Sequence, residues 1–310
     1  MRILFIPSTN GFGHTRRLIS MALAARDLGH SPHIYLYHGD HQRTLLVREK
    51  GLEIIHGGSL KVLDGPYSYD SNKIESQCRL DFSRFDLVVS DTLTEISKLH
   101  PKTLLFAQFT WNHFFAKMSP RKRSFFLNDE VFNNLLRFQK IFGMHEFAWS
   151  SLAQLDNFVG IPLLDYWNLR SRREELKRTD SIVIVKSGVD GKKWKNILED
   201  LKFEFKIVEQ IENIREVPRG VICRAGMGAI SEALALGSSP ITIVDDLTNT
   251  ELVNNQRVLL GKNWGLGLKE YVQQNGKLDK KSLFDSLRLV QTPSEEEFIS
   301  PVELVIKYFN

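Results

Sequence analysis

Near its start the chain carries the segment RILFIPSTNGFGHTRRLISMALAARDLG at residues 2–29, which joins two kinds of pattern. Residues 2–6 are an apolar run of branched side chains, which predicts a buried β-strand. Apolar side chains at helical spacing predict a helix over residues 13–28, and Gly29 suits the position just past its end. A strand that feeds a helix through a short glycine-containing loop is typical of an α/β sheet.

The same alternation continues along the chain in two series. In the first series, further strands are predicted at residues 33–37, 52–56, 85–91 and 102–109, with helices at residues 41–51, 93–99 and 121–143. In the second series, strands are predicted at residues 181–188, 202–210, 220–226 and 240–246, with helices at residues 192–201, 228–237 and 251–263. Alternating strands and helices predict an α/β protein with two doubly wound parallel sheets.

The length of 310 residues favours two domains, at about 150 residues each. We place the first domain at residues 1–162 and the second at residues 179–297. The polar and charged segment 163–178 is predicted to be a linker. Residues 298–310 predict an apolar C-terminal helix that begins at a Ser-Pro pair.

Composition limits the classes of partner and location. The net charge of +4 and the pI of about 8.9 are too weakly basic to imply nucleic acid, but they suit an anionic ligand or an acidic membrane surface. Cys78 and Cys223 form no C-x-x-C motif, which favours a reducing cytoplasm. No apolar run reaches the roughly 20 residues of a membrane-spanning helix, and the N-terminus does not resemble a signal peptide.

The loop and helix start GFGHTRR predict a site. Gly11 and Gly13 would let the backbone approach a ligand, and the helix N-terminus attracts negative groups, so we assign Gly11, Gly13 and Arg16 to an acceptor or phosphate loop. The positive end of the helix dipole favours a neutral imidazole at His14, which could act as a general base. The alternative is a polar helix start with a solvated histidine.

A dinucleotide-binding loop is a rival interpretation of the same residues. The motif G-x-G-x-x-G requires a third glycine for close packing of helix on strand, and this chain has Arg16 there. Asp40, after the second predicted strand, would have to serve as the ribose-binding acid. The match to an oxidoreductase is therefore weak.

Asp91 ends the strand pattern FDLVVSD of the same predicted sheet. Because the carboxyl ends of parallel strands converge on one crevice, Asp91 could meet His14 and fix its tautomer. The alternative is that Asp91 caps the short helix predicted after it.

The segment CRAGMGAISEALALGSSPITIV at residues 223–244 predicts a second site. Gly226 and Gly228 lie between a strand and a helix, where backbone N–H groups suit a diphosphate. Glu232 could reach sugar or ribose hydroxyls, or could be a solvated helix residue. The polar side chains at residues 245–256 suit hydroxyl groups, although an ordinary loop and helix start would look similar.

These motifs resemble those of GT-B glycosyltransferases, especially the group that contains the bacterial peptidoglycan N-acetylglucosaminyltransferase and the UDP-glycosyltransferases. Gly226, Glu232, Gly237 and Pro240 fall on the positions of the family's G-x-x-(S/T)-x-x-E…G-x-P motif, and GFGH is similar to its N-terminal loop with a catalytic histidine. The resemblance implies two Rossmann-like domains with a cleft between them, the first binding the acceptor and the second the nucleotide sugar. The last helix would pack back on the first domain.

The resemblance also implies a set of donor-binding residues. Ala229 departs from the family's Ser or Thr, and the polar run TNTELVNNQ cannot be aligned uniquely. The implied donor residues are Ser187, Gly188, Arg224, Ala225, Gly226, Gly228, Ala229, Glu232, Glu251, Asn255 and Gln256.

The implied reaction is inverting transfer of a sugar from a UDP-sugar to the hydroxyl group of a carbohydrate or lipid-linked acceptor, as in bacterial cell-surface glycan or glycolipid synthesis. His14 would be the base and Asp91 its partner. Because the chain has no D-x-D motif, we expect no essential metal, and we expect no cofactor. The alternatives are a nucleotide-sugar hydrolase or epimerase of the same fold, and a non-catalytic nucleotide-sugar-binding subunit.

A basic and aromatic segment, MSPRKRSFF, precedes the helix pattern near residue 130. Arg121, Lys122 and Arg123 adjoin Phe125 and Phe126. Such a cluster can hold a protein against anionic lipid, which would place the protein in the cytoplasm at the inner face of the membrane. The alternative is a solvated helix start with its phenylalanines in the core.

Overall fold

The computed structural model describes residues 1–8, 12–36, 40–57, 80–110, 129–186, 204–275 and 279–309. The chain divides into two compact units. The first, the N-terminal unit, comprises Met1–Pro162 with Pro301–Asn310, and the second, the C-terminal unit, comprises Leu163–Ser300.

The N-terminal unit is built on one parallel sheet. Within the described ranges its strands are β1 (Arg2–Ile6), β2 (Ser31–Leu36), β3 (Glu53–His56), β4 (Leu87–Asp91), β5 (Thr103–Phe106), β6 (Lys140–Met144) and β7 (Phe158–Ile161). They lie in the order β3-β2-β1-β4-β5-β6-β7, and each neighbouring pair is parallel. The helices are α1 (Phe12–Asp27), α2 (His41–Glu49), α3 (Asp129–Arg137) and α4 (Ser150–Ala153), with 3-10 helices at Phe82–Arg84 and Thr94–Lys98.

The C-terminal unit has a smaller parallel sheet of the order β10-β9-β11-β12-β13, and β8 and β14 form a separate parallel pair. In the part of the chain that is described, its strands are β8 (Leu163–Leu164), β9 (Arg178–Val185), β10 (Lys206–Val208), β11 (Val217–Arg224), β12 (Ser239–Ile243), β13 (Leu266–Gly267) and β14 (Phe298–Ile299). The helices are α5 (Leu169–Glu175), α6 (Met227–Ala235), α7 (Thr250–Gly261), α8 (Leu268–Asn275) and α9 (Lys280–Arg288), with 3-10 helices at Ile211–Asn213 and Glu295–Glu297.

The last helix, α10 (Pro301–Tyr308), belongs to the N-terminal unit and packs against α1. Tyr308 contacts Phe142 of β6 at 5.0 Å between ring centroids, and Phe309 contacts Phe5 of β1 at 6.2 Å. Apolar burial therefore fastens the end of the described chain to the sheet with which it began.

The predicted α/β class with two parallel sheets is confirmed. Central strands such as β4 are buried along their whole length, which explains their continuous apolar sequence. Gly237 ends α6 with a φ of +80°, a conformation that glycine adopts without strain, and its N–H and that of Ser238 bond back to the last turn.

Three segments differ from the sequence-based expectation. In the predicted C-terminal helix 298–310, Phe298 and Ile299 form β14 because they pair with β8, and the helix begins at Pro301. The predicted helix 121–143 overlaps β6 (Lys140–Met144), which is buried from Ile141 onwards and pairs with strands on both sides. A short apolar run fits helix or strand equally well. Residues 121–128 of that prediction and all of the predicted helix 192–201 lie outside the described residues. The predicted linker 163–178 forms β8 and α5 and begins β9, because Leu163, Leu164 and Leu169 are buried.

Candidate active site

The strand order of the N-terminal unit creates a switch point between β1 and β4. From β1 the chain proceeds to β2 on one side, while β4 pairs with β1 on the other side. In open parallel sheets, ligands bind at such a point, outside the carboxyl ends of the strands. His14, in the first turn of α1 after β1, and Asp91, the last residue of β4, both lie there.

The structure joins these two side chains. His14 Nδ1 lies 2.7 Å from Asp91 Oδ1, and the Asp91 side chain is completely buried whereas 12% of the His14 side chain is exposed. An ionised carboxylate can only accept, so Nδ1 carries the hydrogen in this contact. In a neutral ring, the tautomer assigned from this hydrogen bond has its lone pair on Nε2.

Arg17 completes the cluster, and the sequence motifs did not single it out. Its Nε donates to Asp91 Oδ2 at 2.6 Å, and its Nη2 donates to Oδ1 at 2.8 Å. The signal was available, because Arg17 lies three residues after His14 and therefore on the same face of α1.

The surroundings of Asp91 keep it ionised. Burial raises the pKa of Asp91, but the positive charge of Arg17 and the hydrogen bonds from His14 and Arg17 outweigh burial and hold that pKa below its usual value. The carboxylate is thus a permanent negative charge at neutral pH.

The alternative that Asp91 caps the next helix is wrong. The N-cap of the 3-10 helix Thr94–Lys98 is Leu93, and the Asp91 carboxylate is occupied by His14 and Arg17. Thr92 has a φ of 59°, a left-handed conformation that is strained for a β-branched residue. Such strain is concentrated at functional sites.

The structure describes two of the three residues assigned to the predicted acceptor or phosphate loop, Gly13 and Arg16. Gly11 lies outside the described residues, and Arg16 is buried on α1 with contacts of its own. Gly13 lies in the first turn of α1, and a Cβ added to it would meet no atom within 4 Å. Asp40, the acid of the rival dinucleotide interpretation, caps α2 through the Arg43 N–H and pairs with the Arg43 side chain. That structural role leaves the dinucleotide interpretation without support.

In the C-terminal unit, β11 ends at Arg224 and the turn through Ala225 and Gly226 leads directly into α6. Gly226 is the N-cap and has no side chain to cap the helix, and nothing lies within 4 Å of a Cβ position at Gly226 or Gly228. Ala229 follows in the same first turn of α6. The helix N-terminus and these open positions form a backbone surface that suits an anionic group.

Glu232, further along α6, is buried and accepts a hydrogen bond of 3.0 Å from Trp167 Nε1. The neighbouring Ser231 hydroxyl donates to the Leu164 carbonyl at 2.8 Å. Burial and, second, the charge of Glu232 raise the pKa of the Cys223 thiol to about 12. Sequence reasoning missed Trp167, because a tryptophan in a charged segment gives no periodic signal.

The other predicted donor residues lie on or beside strand ends. Arg224 Nε donates to Asp245 Oδ1 at 2.8 Å, which links the ends of β11 and β12. Glu251 lies in the first turn of α7 and has partners of its own. Ser187 and Gly188 lie outside the described residues.

Two amides predicted to contact the donor are used within the fold. Asn255 Nδ2 donates to the Ala225 carbonyl at 3.0 Å, and Gln256 Nε2 donates to Thr242 Oγ1 at 3.1 Å. Both side chains are buried. They hold α7 against the turn after β11 and against β12, so these amide N–H groups serve the fold, and contact of either side chain with a donor stays a prediction.

Neither a metal cluster nor a membrane-spanning helix is found among the described residues. No group of three or more His, Cys, Asp or Glu side chains is arranged to hold a metal ion there. Within the same ranges, no helix is both long and apolar enough to span a membrane. The basic and aromatic residues Arg121–Phe126 lie outside the described part of the chain.

Comparison with known proteins identifies the class. Residues 170–298 match the model of the glycosyltransferase family 28 C-terminal domain. No curated protein sequence gives a significant match to the chain.

Solved structures are similar over the whole chain. SsfS6, a glycosyltransferase of Streptomyces sp. SF2575, shares 13% identity and a TM-score of 0.61, with 100% of both chains covered. The spinosyn rhamnosyltransferase SpnG, complexed with thymidine diphosphate, shares 16% identity and a TM-score of 0.58, again with 100% of both chains covered. LpCGTa, in complex with UDP, shares 12% identity and a TM-score of 0.60 over 94% of this chain and 91% of that chain.

At these identities the structural likeness shows the fold, which is GT-B as predicted. With a family 28 C-terminal domain on that fold, the chain is of the glycosyltransferase type. The narrower resemblance to the peptidoglycan N-acetylglucosaminyltransferase and the UDP-glycosyltransferases stays a prediction.

Proposed function

We propose that this chain is an inverting glycosyltransferase that transfers a sugar from a UDP-sugar to an acceptor hydroxyl group without a metal ion. The observation that carries the proposal is the 2.7 Å contact between His14 Nδ1 and buried Asp91, which leaves Nε2 as a proton acceptor. The family 28 domain at residues 170–298 supports the donor class. The pair and the domain together supply the two functions that a sugar transfer needs.

In the proposed reaction, His14 Nε2 takes the proton of an acceptor hydroxyl group as the oxygen attacks the anomeric carbon of the donor. The new C–O bond forms as the bond from the anomeric carbon to the diphosphate oxygen breaks on the opposite face, which inverts the configuration. The electron pair leaves with the nucleoside diphosphate, and the proton stays on the imidazolium beside Asp91.

The C-terminal unit is proposed to hold the donor. Backbone N–H groups around Gly226 and Gly228, at the start of α6, would stabilise the charge of the leaving diphosphate, and Arg224 would add a cation. This supply of charge is the reason that we propose a metal-independent reaction. Ala229 closes the same turn, and Ser187 and Gly188 remain proposed donor contacts.

Glu232 is proposed to hold the ribose hydroxyls. Its Oε1 already accepts the Trp167 N–H, so the indole fixes the orientation of the carboxylate and leaves acceptor capacity for a hydroxyl group. We assign Asn255 and Gln256 an indirect role, because their amide hydrogens hold α7 in place, and we assign Glu251 to the donor-sugar region at the start of that helix.

We propose a carbohydrate or lipid-linked acceptor in cell-surface glycan synthesis, with a cytoplasmic enzyme that touches anionic membrane. Phe132 and Leu136 of α3 support the membrane contact: they are 53% and 54% exposed, lie four residues apart and follow the basic segment Arg121–Arg123. Cosedimentation with phosphatidylglycerol vesicles but not phosphatidylcholine vesicles is expected. Sedimentation with neither would count against this part of the proposal.

The main proposal is tested with a panel of UDP-, dTDP-, GDP- and CMP-sugars. A bound donor raises the melting temperature, since binding stabilises the folded state by mass action, and we expect UDP-sugars to give the largest rise. Product analysis with candidate acceptors then separates the possibilities. Transfer with inversion supports the proposal, release of free sugar without an acceptor would indicate a hydrolase, and binding without any turnover would indicate a non-catalytic subunit.

A further inference from the structure

Arg17 is a buried cation at the centre of the candidate active site. Only 7% of its side chain is exposed, and its guanidinium donates to both oxygens of Asp91. Its Nη2 also lies 3.5 Å from His14 Nδ1. The carboxylate is therefore shared between a histidine and an arginine.

A buried carboxylate beside a histidine orients the ring, but by itself it also favours protonation of that ring. A negative charge in contact with an imidazole favours the imidazolium form, because opposite charges attract strongly away from water. An imidazolium has no lone pair and cannot take a proton from an acceptor.

Arg17 changes this balance in two ways. Its charge neutralises Asp91 through two hydrogen bonds, which weakens the attraction between the carboxylate and an imidazolium. Its Nη2, close to Nδ1, repels a second positive charge on the ring. Asp91 Oδ1 still accepts the Nδ1–H group, so the orientation of the ring is kept.

We propose that Arg17 is a positioning residue that holds His14 neutral and protonated on Nδ1, with Nε2 ready to take a proton. The catalytic consequence rests on the proposed function, whereas the protonation state of His14 does not. Arg17 acts through Asp91 and His14 and needs no contact with the substrate.

Two further charged side chains are buried close to Arg17 and Asp91 in the sequence. Arg16 lies on α1, and Glu95 lies on the 3-10 helix that follows β4. Both have interaction partners of their own. They are present in every variant compared below, so a difference between Arg17 variants reports on Arg17.

Nuclear magnetic resonance of ¹⁵N-labelled histidine in the full-length protein tests the proposal directly. The His14 signals are assigned by their loss in His14→Gln. In the wild-type protein at pH 7 we expect a neutral ring with hydrogen on Nδ1. An imidazolium, or a ring with hydrogen on Nε2 alone, in the wild-type protein would overturn the proposal whether or not any variant folds.

Arg17→Met is the sharper test. Without the guanidinium, the His14–Asp91 pair should bind its extra proton at a pH about one unit or more higher, as expected when a nearby charge is removed. Arg17→Lys keeps the charge and should titrate close to wild type. Arg26→Met is the matched control, because Arg26 is an exposed arginine on the same helix, and it should leave the midpoint unchanged.

Thermal melts establish that each variant is folded, and Arg17→Gln replaces Arg17→Met if the latter is not. A midpoint in the folded variant that equals the wild-type value, or lies below it, would overturn the proposal. Where transferase activity is measurable, the acid limb of kcat/KM should move upward with the same midpoint, whereas a purely structural loss would lower activity equally at every pH. A shifted titration without any transferase activity would support this inference and count against the proposed function.

Discussion

The candidate site of the N-terminal unit consists of side chains, whereas that of the C-terminal unit consists mainly of backbone groups. In the N-terminal unit, three charged or titratable side chains, His14, Arg17 and Asp91, bond to one another in a buried cluster. In the C-terminal unit, the open surface at Gly226 and Gly228 is backbone, and the predicted ligand side chains are largely engaged with the fold. A proton transfer depends on a particular side chain, whereas a diphosphate can be held by N–H groups that any sequence supplies.

The difference predicts that side-chain replacement will be most damaging in the N-terminal unit. His14→Ala removes the proposed base, and activity should fall by about 10²–10⁴-fold, the usual contribution of general base catalysis. The rise in melting temperature with the donor should stay as in wild type, because the donor is assigned to the other unit. His145→Ala, at an exposed histidine of the N-terminal unit, is the control. Full activity in His14→Ala would remove the mechanism.

Asp91 in the N-terminal unit and Asp165 in the C-terminal unit are both buried, so the two units can also be compared by the free energy of unfolding of an asparagine variant in each. Asp91→Asn leaves Arg17 buried without its carboxylate, and the free energy of unfolding at pH 7 should fall by about 3–5 kcal/mol. Asp165 accepts the Leu169 N–H on Oδ1 at 2.7 Å and the Arg170 N–H on Oδ2 at 3.2 Å, at the start of α5. Asparagine has one acceptor oxygen and keeps only the shorter of these bonds, so Asp165→Asn should cost about 1–2 kcal/mol. Urea unfolding measures both, and equal losses would contradict the comparison.

The pH dependence of these two variants should have opposite sign. The lowered pKa of Asp91 gives a stabilisation that is present above its unfolded value of about 3.9 and is lost as the pH falls through the folded value. Burial outweighs the two backbone N–H bonds and raises the pKa of Asp165, so its cost appears as the pH rises through that folded value. Relative to wild type, Asp91→Asn should therefore lose stability, and Asp165→Asn should gain it, as the pH rises from acid to neutral.

A smaller effect is expected where a side chain of the C-terminal unit supports the donor. Trp167→Phe keeps most of the ring but removes the N–H donor to buried Glu232, which should cost about 1–3 kcal/mol. In binding titrations we expect the affinity for UDP to fall by about tenfold or more on that account. Trp149→Phe, in the N-terminal unit, should leave the affinity unchanged. An unaltered affinity in Trp167→Phe would show that Glu232 needs no support from the indole.

The smallest effect is expected at the open backbone surface around Gly226 and Gly228, where one substitution should change protein stability and ligand affinity in opposite directions. Gly228→Ala adds a methyl group into open space within α6, and alanine favours a helix over glycine by about 1 kcal/mol, so stability should rise slightly. The same methyl group would obstruct a diphosphate, so the affinity for UDP should fall. Gly261→Ala, also open and helical, should raise stability alone. A parallel change in both variants would argue against a cradle at Gly228.

Sequence patterns could predict the juxtaposition of His14 and Asp91, because parallel strands bring their carboxyl ends to one edge. The glycine motif drew attention to Arg16, at the position of its third glycine, whereas the helical spacing of three residues from His14 would have favoured Arg17. Asn255 and Gln256 show the converse problem. The sequence does not distinguish an asparagine or glutamine that bonds to a carbonyl group of the fold from one that bonds to a sugar. The structure shows which bonds the two amides make within the fold.

The secondary structure of β6 and of the segment around Trp167 was predicted wrongly because of features in the neighbouring sequence. The apolar run of β6 is five residues long, too short for its period to be read, and it follows a genuine helix pattern. Trp167 was missed because the charges of α5, which follows it, made the segment look solvated, although three leucines there are buried.

The helix α10 has a consequence for how the protein is made. Tyr308 and Phe309 pack on Phe142 and Phe5, so the N-terminal unit obtains its last helix only after the whole C-terminal unit has been synthesised. Until α10 has been synthesised, Phe5 and Phe142 lack the aromatic contacts that Phe309 and Tyr308 provide. Transiently exposed apolar surface of this kind favours aggregation, so the interval before α10 packs is the stage of synthesis at which this unit is most exposed to it.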